Sequence, residues 1–449
     1  MKKVLIANRG EIARRVIRAC RELDLVTVAV YSEADEQAMH VREADEAMPI
    51  GKAHARHSYL NVEKLIEAAR ESGADAIHPG YGFLSESPRF AEACDAAGIT
   101  FVGPSASAIA AMGDKAAARR LARSADVPVV PGGDAAGAGE AALATADDVG
   151  YPVLVKAAAG GGGRGIRTAR GPDELRDALG AAAREAEAAF GDPSLYIEKL
   201  LEEARHVEVQ VVGRGDGEVT HLYERECSLQ RRRQKLVEES PSPGLHPPTR
   251  DAMAAAAVRL AAEVDYRGAG TVEFLVDRDE RFYFIEMNTR LQVEHGVTEM
   301  VTGIDLVRAQ LLVAGGEPLD FTQQDVRIDG SAFEFRINAE DPEADFQPSP
   351  GRIDVAELPG GPGVRMDTAI YTGYTVVPYY DSLIAKLLVW APTREQALRR
   401  GRRAIRELRI EGIKTTAPLH ARLMDDERVR AGDVHTGYLE ELLEAERVV

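Results

Sequence analysis

The feature that most restricts the fold of this chain is an alternation of two patterns over residues 4–103. Short apolar runs at 4–7, 26–31, 76–78 and 100–102 alternate with amphipathic stretches such as 11–23 and 62–72. Strands that alternate with helices in this way usually form a parallel sheet with helices on both faces. We therefore expect a doubly wound α/β domain at the N-terminus.

Length and composition narrow the class of protein. At roughly 150 residues per domain, a chain of 449 residues has room for about three domains. Its 55 basic and 73 acidic residues give a formal charge of −18, which repels nucleic acid and anionic lipid. We find neither a signal peptide nor an apolar run of the roughly 18 residues that span a membrane. Three widely spaced cysteines form no metal, redox or disulfide pattern, so we expect a cytoplasmic protein. From the charge and the absence of a long apolar run, we expect no nucleic-acid or membrane partner.

The middle of the chain has a different organisation. Residues 114–124 form a predicted helix, and the Gly/Ala-rich segment 132–144 is expected to be a surface loop or linker. A small β-rich lid should follow, with strands at 152–156 and 196–200 and a helix over 172–189. Further strands are expected at 206–212, 271–276 and 282–288, and an α+β region from about residue 330 to the end.

A glycine-rich turn lies inside the expected lid. Gly160, Gly162 and Gly165 satisfy G-x-G-x-x-G, but the extended residues that follow argue against a dinucleotide fold, and a P-loop motif is absent. These glycines have no Cβ atoms to hold a ligand off, so their backbone amides could instead form a flap that closes over phosphate oxygens. Lys156 would lie at the base of this flap. A flexible hairpin with a solvated lysine is the alternative for this motif alone.

A predicted β-hairpin contains the strongest chemical signal. If Val276 pairs with Arg281, Glu273 lies opposite Phe284, on the face that also carries Glu286 and Asn288. Two carboxylates and an amide oxygen suit a magnesium ion that shares its coordination shell with ATP phosphates. The alternative is two unrelated, solvated acids.

Arg290 and Glu294 follow this hairpin closely. The parallel N–H groups of an arginine guanidinium can bind a planar anion, and a glutamate can act as a base. A structural ion pair between these two residues is the alternative. Together these features predict an enzyme that uses magnesium-ATP to activate a small substrate.

Five longer segments are specific enough to indicate a family: 6–12, 78–86, 225–231, 284–290 and 336–341. Read together, they resemble the biotin carboxylase family of ATP-grasp enzymes from Val4 to about Leu442. The resemblance implies a Rossmann-like biotin carboxylase N-terminal domain over 1–113, an ATP-grasp domain over 114–330 with a mobile lid at about 131–203, and a biotin carboxylase C-terminal α+β domain over 331–449.

The resemblance also implies roles for individual residues, with ATP, magnesium or manganese, and carrier-bound biotin as cofactors. ATP phosphates would contact Lys115, Lys156, Gly162 and Gly163, and the adenine would contact Glu198, Lys199, Leu200 and Leu201. The nucleotide site would also include His206, Gln230 and Arg233, the last of which stands where a histidine is common. The metals would bind Glu273, Glu286 and Asn288. Bicarbonate would bind Lys235, Arg290, Gln292 and Val293, with Glu294 as the base, and biotin would face Arg336 and Tyr81.

The implied reaction runs through carboxyphosphate, which breaks down to carbon dioxide and phosphate. The phosphate takes the ureido proton of biotin, and Arg336 stabilises the resulting enolate. For Arg336 alone, an ion pair with Glu334 on the same strand is the default expectation. Two further departures from the family pattern are Ala158-Ala159, which we expect to stiffen the flap, and Gly296, which we expect to loosen the loop that holds Glu294.

The downstream acceptor is less constrained. We expect a component of acetyl-CoA carboxylase in fatty acid synthesis, with propionyl-CoA or pyruvate carboxylase as alternatives. A carbamoyl-phosphate synthetase half or a non-catalytic ATP-binding subunit is more distant. The chain contains no Ala-Met-Lys-Met segment for biotin attachment, so we expect a separate biotin carrier protein and a carboxyltransferase as partners, unless the chain is a fragment of a longer carboxylase. The resemblance further implies a homodimer.

Overall fold

The computed structural model describes residues 1–135, 140–157, 167–190 and 194–448. The turn predicted at Gly160–Gly165 therefore lies outside the described residues, as do Ala158 and Ala159. Among the described residues, the structure has no helix of the length and apolar character that crossing a membrane requires.

The N-terminal region forms a parallel sheet of strand order β3-β2-β1-β4-β5, which confirms the doubly wound pattern. Its strands are β1 Lys3–Ile6, β2 Val26–Ser32, β3 Glu46–Gly51, β4 Ala76–His78 and β5 Thr100–Phe101. Its helices are α1 Gly10–Glu22, α2 Met39–Glu43, α3 Val62–Ser72, α4 Pro88–Ala97 and α5 Ala106–Gly113. Strand β3 was not predicted because Pro49 interrupts its short apolar run, and the structure accommodates this proline because β3 lies at the sheet edge.

A smaller antiparallel sheet of order β6-β9-β7-β8 follows helix α6, Lys115–Ser124. Its elements are β6 Gly132–Ala135, α7 Glu140–Val149, β7 Val153–Ala157, β8 Arg167–Ala169, α8 Pro172–Phe190 and β9 Leu195–Lys199. The predicted strands and the long helix are confirmed, but the expectation of a linker over 132–144 is wrong. Gly133 pairs with Ile197 in the sheet, and α7 buries Ala142 and Ala146 against it, so small residues here serve close packing.

From residue 205 onward the described chain forms an eight-stranded antiparallel sheet of order β14-β13-β10-β11-β12-β15-β22-β20 and three two-stranded sheets, β16-β17, β18-β21 and β19-β23. The strands from 205 onward are β10 Arg205–Arg214, β11 Val219–Arg231, β12 Gln234–Ser240, β13 Arg267–Val276, β14 Phe282–Asn288, β15 Ser331–Asn338, β16 Glu340–Asp341, β17 Gln347–Pro348, β18 Gly351–Arg352, β19 Val355–Glu357, β20 Val364–Thr368, β21 Thr375–Val376, β22 Leu383–Ala391 and β23 Arg409–Glu411. The helices are α9 Pro247–Glu263, α10 His295–Thr302, α11 Leu306–Ala314, α12 Arg394–Glu407, α13 Ala417–Leu423, α14 Glu427–Ala431 and α15 Tyr438–Val448.

This large sheet is continuous across the boundary predicted at residue 330. Strand β12 pairs with β15, and Glu238 lies directly opposite Glu334 in that pairing. Side chains on β12 and β15 are therefore close neighbours, although about a hundred residues of sequence separate them. The domain limits themselves remain a prediction.

Candidate active site

Each predicted site residue that the structure describes lines a single cleft of about 1470 Å³. Its walls include Tyr81 from the N-terminal region, Lys156 and Glu198 from the four-stranded sheet, and Glu273 and Arg336 from the eight-stranded sheet. Residues that are far apart in sequence therefore face one space. Gly162 and Gly163 lie outside the described residues, so their placement stays a prediction.

The hairpin of β13 and β14 brings the predicted metal ligands together, but in an unexpected register. Val276 pairs with Phe282, and a bulge then places Glu273 directly opposite Glu286. The prediction that Glu273 faces Phe284 is wrong for two reasons. Asp277 donates its N–H to the Arg281 carbonyl across a three-residue turn that ends at Glu280 with φ 57°, which shifts the pairing by one residue, and the bulge shifts it by one more.

Electrostatics separate the two opposed carboxyl groups of this hairpin. Burial alone would raise the pKa of Glu273, but Lys235 and His206 lower it well below its usual range. Burial and repulsion by Glu273 raise the pKa of Glu286. Asn288 donates from Nδ2 to Glu273 Oε1 at 2.8 Å. This set of hard oxygen ligands, with repulsion that a divalent cation would relieve, fits magnesium.

Lys235 connects three buried carboxylates beneath the cleft. Its Nζ donates to Glu208 Oε2 and Glu294 Oε1 at 2.6 Å each, and to Glu273 Oε1 at 3.0 Å. Burial alone would lower the pKa of Lys235, but the carboxylates raise it well above its ordinary value. The ammonium is therefore charged and fixes Glu294 relative to Glu273, a predicted metal ligand.

Glu294 is held between two cations. Its Oε2 accepts from Arg336 Nη2 at 2.9 Å, while Oε1 accepts from Lys235. Although burial would raise the pKa of Glu294, these cations lower it below its usual range. Glu294 immediately precedes helix α10 but its side chain makes no capping hydrogen bond there, so its carboxylate remains directed at the two cations.

Arg336 does not form the default ion pair with Glu334. Its Nε donates to Glu238 Oε1 at 2.6 Å, and Nη2 donates to Glu294. The expectation of a same-strand pair is wrong because the neighbouring strand β12 places Glu238 within hydrogen-bonding distance of Arg336. Arg336 lines the cleft, so these two contacts fix the position of its guanidinium there.

The segment after the hairpin lies at the same end of the cleft. Arg290 donates from Nε to Glu86 Oε2 at 3.0 Å and from Nη2 to Asn288 Oδ1 at 3.1 Å. Gln292 donates to Glu273 Oε1 at 2.8 Å. The backbone carbonyl of Val293 accepts from Lys386 Nζ at 2.6 Å.

The other end of the cleft contains the predicted nucleotide contacts. Lys156 donates to Glu198, whose second oxygen lies 3.2 Å from Arg119 Nη1. Burial lowers the pKa of Lys156 despite this carboxylate. Lys199 lines the cleft, and its Nζ donates to the carbonyls of Gly150 and Tyr151 at 2.9 and 2.8 Å. Lys115, Leu200 and Leu201 complete this end.

The remaining predicted contacts come from separate strands and turns. His206 Nε2 lies 2.8 Å from Glu273 Oε2, and Gln230 pairs with Lys235 across the β11–β12 hairpin. Arg233 is the second residue of the two-residue turn of that hairpin, with φ 67°, a conformation that usually favours Asn or Gly. Tyr81 donates its hydroxyl to Glu11, and burial together with Glu11 raises its pKa well above the ordinary value.

Gly296 lies in the first turn of α10 and not in a loop. A Cβ at this position would lie 2.3 Å from Leu388 Cδ2. The placement of Gly296 in a loop is therefore wrong, because helix and neighbouring strand approach each other closely here, whereas its effect on the rigidity of the Glu294 segment stays a prediction.

Sequence reasoning missed three buried charged residues around the site: Glu208, Glu238 and Lys386. Glu208 bridges Lys235 and Arg225, with Arg225 Nε at 2.6 Å. Burial raises the pKa of Glu238 to about 7 although Arg336 opposes this. A signal existed for two of them, because Glu208 and Lys386 each stand between apolar residues within a strand, which indicates charges turned inward.

Family models match the chain along nearly all of its length. "Biotin carboxylase, N-terminal domain" matches residues 1–109, "Carbamoyl-phosphate synthase L chain, ATP binding domain" matches 114–322, and "Biotin carboxylase C-terminal domain" matches 334–441. Biotin carboxylase 1 of Bacillus subtilis (strain 168) is 54% identical over 442 residues, which cover 98% of each chain. The chain belongs to the biotin carboxylase family.

Other members of the biotin carboxylase family differ in the carboxylase that they serve. The crystal structure of the biotin carboxylase subunit of pyruvate carboxylase superposes with a TM-score of 0.88 at 51% identity, covering 99% of this chain and 98% of that one. The biotin carboxylase domain dimer of Hydrogenobacter thermophilus 2-oxoglutarate carboxylase, solved with MgADP, ADP and bicarbonate, superposes with a TM-score of 0.91 at 51% identity, covering 98% and 97% of the two chains. The predicted ATP-grasp fold, the enzyme class of an ATP-dependent carboxylase ligase and its cofactors ATP, magnesium and biotin are confirmed.

Proposed function

We propose that this chain carboxylates biotin on a carrier protein, using ATP and bicarbonate through carboxyphosphate, as the first half-reaction of a larger carboxylase. The observation that supports this most directly is the convergence of Lys235 and Arg336 on Glu294. The Glu294 carboxylate is buried, ionised and adjacent to the predicted metal-ligand pair, so its position would let it take a proton from an anion bound beside Lys235 and Arg336.

The positions of Arg290 and Gln292 support the anion-binding roles that we propose for them. Arg290 and Gln292 lie on the segment that joins the β13–β14 hairpin to Glu294, so bicarbonate bound to them would be next to the base. Removal of its proton increases the nucleophilicity of the bicarbonate oxygen toward the γ-phosphorus. Lys235 would bind the anion while holding Glu294 in place.

The nucleotide would lie between the two sheets. Lys115 and Lys156 would neutralise its phosphates, and the backbone of residues 198–201 would border the adenine. Gly162 and Gly163 would add amide donors. Magnesium at Glu273, Glu286 and Asn288 supplies charge neutralisation for the phosphates when bound.

Biotin would enter beside Arg336 and Tyr81. The Arg336 guanidinium is positioned by Glu238, so it can stabilise negative charge on the ureido oxygen without a large rearrangement. A closed cleft with little water would strengthen this contact.

The final acceptor and partners are finer parts of the proposal. We propose acetyl-CoA as the first acceptor to test, with a biotin carrier protein, a carboxyltransferase and a second copy of the chain as partners. Relatives of similar identity serve pyruvate and 2-oxoglutarate carboxylases, which supports an acceptor chosen by the transferase and not by this chain. The three cysteines are free and buried, which supports a reducing compartment such as the cytoplasm.

The test is phosphate release from magnesium-ATP, measured with and without bicarbonate and then with free biotin and labelled bicarbonate. We expect release to require bicarbonate and to rise with biotin while label appears on biotin. Release that is indifferent to bicarbonate would contradict the proposal. Stimulation by ammonia without biotin would favour a carbamoyl-phosphate-type ligase instead, and absence of turnover with intact ATP binding would favour a non-catalytic role.

A further inference from the structure

Lys386 is a buried lysine with no role in the proposal above. It lies on β22, between Arg336 on β15 and Asp367 on β20, and its side chain is 0% exposed. Its Nζ donates to the Val293 carbonyl at 2.6 Å. A buried ammonium is costly unless nearby charges compensate it, so its placement beside the cleft calls for an explanation.

Acidic groups from three elements compensate this charge. Lys386 Nζ lies 3.5 Å from Glu11 Oε1 and 3.9 Å from Asp367 Oδ2. Glu334, on the neighbouring strand, is fully buried, and Lys386 opposes the rise that burial causes in its pKa. Burial alone would lower the pKa of Lys386, but Glu11, Glu334 and Asp367 raise it above its ordinary value, so the side chain is charged.

The hydrogen bond to Val293 fixes the orientation of one peptide plane. The Val293–Glu294 peptide is trans, so its N–H points away from the carbonyl and hence away from Lys386. Both residues line the cleft. The same peptide leads directly into α10, whose N-terminal end carries a positive partial charge.

We propose that Lys386 is a positioning residue for the bicarbonate site. By holding the Val293 carbonyl, it turns the Glu294 amide toward the anion and sets the direction in which the Glu294 side chain leaves the backbone. Lys386 acts through Val293 and does not touch the substrate. This inference rests on the proposed function.

The test compares bicarbonate-dependent ATPase kinetics of wild type, Lys386→Met, and Lys386→Met combined with Glu334→Gln. The double variant removes one negative and one positive charge together, so it avoids the uncompensated acids of the single variant. We expect the KM for bicarbonate to rise roughly 10- to 100-fold, because a misplaced amide weakens anion binding, with a smaller change in kcat. The Kd for MgADP, measured by calorimetry, should stay close to the wild-type value.

Arg394→Met is the matched control. It breaks a partly buried ion pair between Arg394 on α12 and Glu239 on β12, and neither residue lines the cleft. It should lower Tm and leave the KM for bicarbonate unchanged. If wild type lacks bicarbonate dependence, the proposed function fails before Lys386 is tested. If wild type depends on bicarbonate but the double variant keeps the wild-type KM, or if neither Lys386 variant gives a cooperative melt, the positioning role is overturned.

Discussion

Glu273 and Glu286 face each other as a directly opposed pair across β13 and β14. Directly opposed like charges destabilise a sheet unless something compensates them. Lys235 and His206 compensate Glu273, whereas the pKa of Glu286 is raised by burial and by Glu273. The pair is thus a site whose repulsion a divalent cation would relieve.

Replacement of Glu286 by Gln should weaken metal-nucleotide binding. The neutral amide keeps the shape of the side chain but removes one of two carboxylate ligands, so we expect the magnesium concentration for half-maximal ATPase to rise about tenfold or more. A magnesium titration at fixed ATP measures this. Asp279→Asn, at the exposed tip of the same hairpin, is the control and should behave as wild type. An unchanged magnesium requirement in Glu286→Gln would remove this residue from the metal site.

Glu294→Gln should retain ATP binding and lose bicarbonate-dependent turnover. An amide cannot accept the proton, so we expect kcat to fall by about 10²- to 10⁴-fold while the Kd for MgADP changes little. The lowered pKa of Glu294 keeps it ionised in wild type throughout the neutral range. Normal turnover in the variant would disprove the base assignment.

Arg336→Ala should damage biotin carboxylation more than bicarbonate-dependent ATPase. Lys235 still holds Glu294 in the variant, so the base remains, whereas the group that would stabilise the enolate is lost. Loss of such an electrostatic contact costs roughly 10²- to 10³-fold in kcat. The two activities are measured in one assay from phosphate release and labelled carboxybiotin, and equal losses would argue against the enolate role.

The composition of the site was more predictable than its geometry. Glu273, Glu286 and Asn288 alternate along strands, so their common face follows from the period of two. Their register does not, because a three-residue turn and a β-bulge leave no clear mark in residue type.

Long-range partners were also beyond the sequence. Glu238 and Arg336 meet only because β12 and β15 pair within one sheet. The patterns around these residues predict each strand but not which strand lies beside it. From the sequence, Glu334 on the same strand is therefore the expected partner of Arg336, and this expectation is wrong. Helix α7 is not evident from the sequence for a different reason, since its Ala residues adjoin glycines and the combined composition is typical of a linker.

Gly296→Ala should destabilise the protein although alanine favours helices. The new Cβ would lie 2.3 Å from Leu388 Cδ2, and overpacking of this kind costs about 1–3 kcal/mol. Combination with Leu388→Val, which shortens the facing side chain, should cost less than the sum of the single changes in the free energy of unfolding. Gly180→Ala is the matched control: this glycine lies within α8 with Arg184 Nη1 no nearer than 3.6 Å, so the change should raise Tm. Equal effects of the two glycine replacements would contradict the close packing of α10 on β22.

His420 ties stability to pH through the strand that holds Arg336. Its Nε2 donates to the Arg336 carbonyl at 2.7 Å, and its Nδ1 is buried without a partner among the described residues. Burial lowers the pKa of His420 to about 4, from 6.5. Between these values the unfolded chain binds a proton that the folded chain does not, so this contribution to stability is complete above pH 6.5 and falls as the pH drops toward 4. The loss should reach at most about 3 kcal/mol.

His420→Gln tests this, because its amide can donate the same hydrogen bond but does not titrate. The free energy of unfolding of wild type and variant is measured from urea melts. The difference between the two should be constant above pH 7 and should shift against wild type below pH 6.5. A difference that stays constant down to pH 4.5 would show that His420 is protonated in the folded protein as readily as in the unfolded chain.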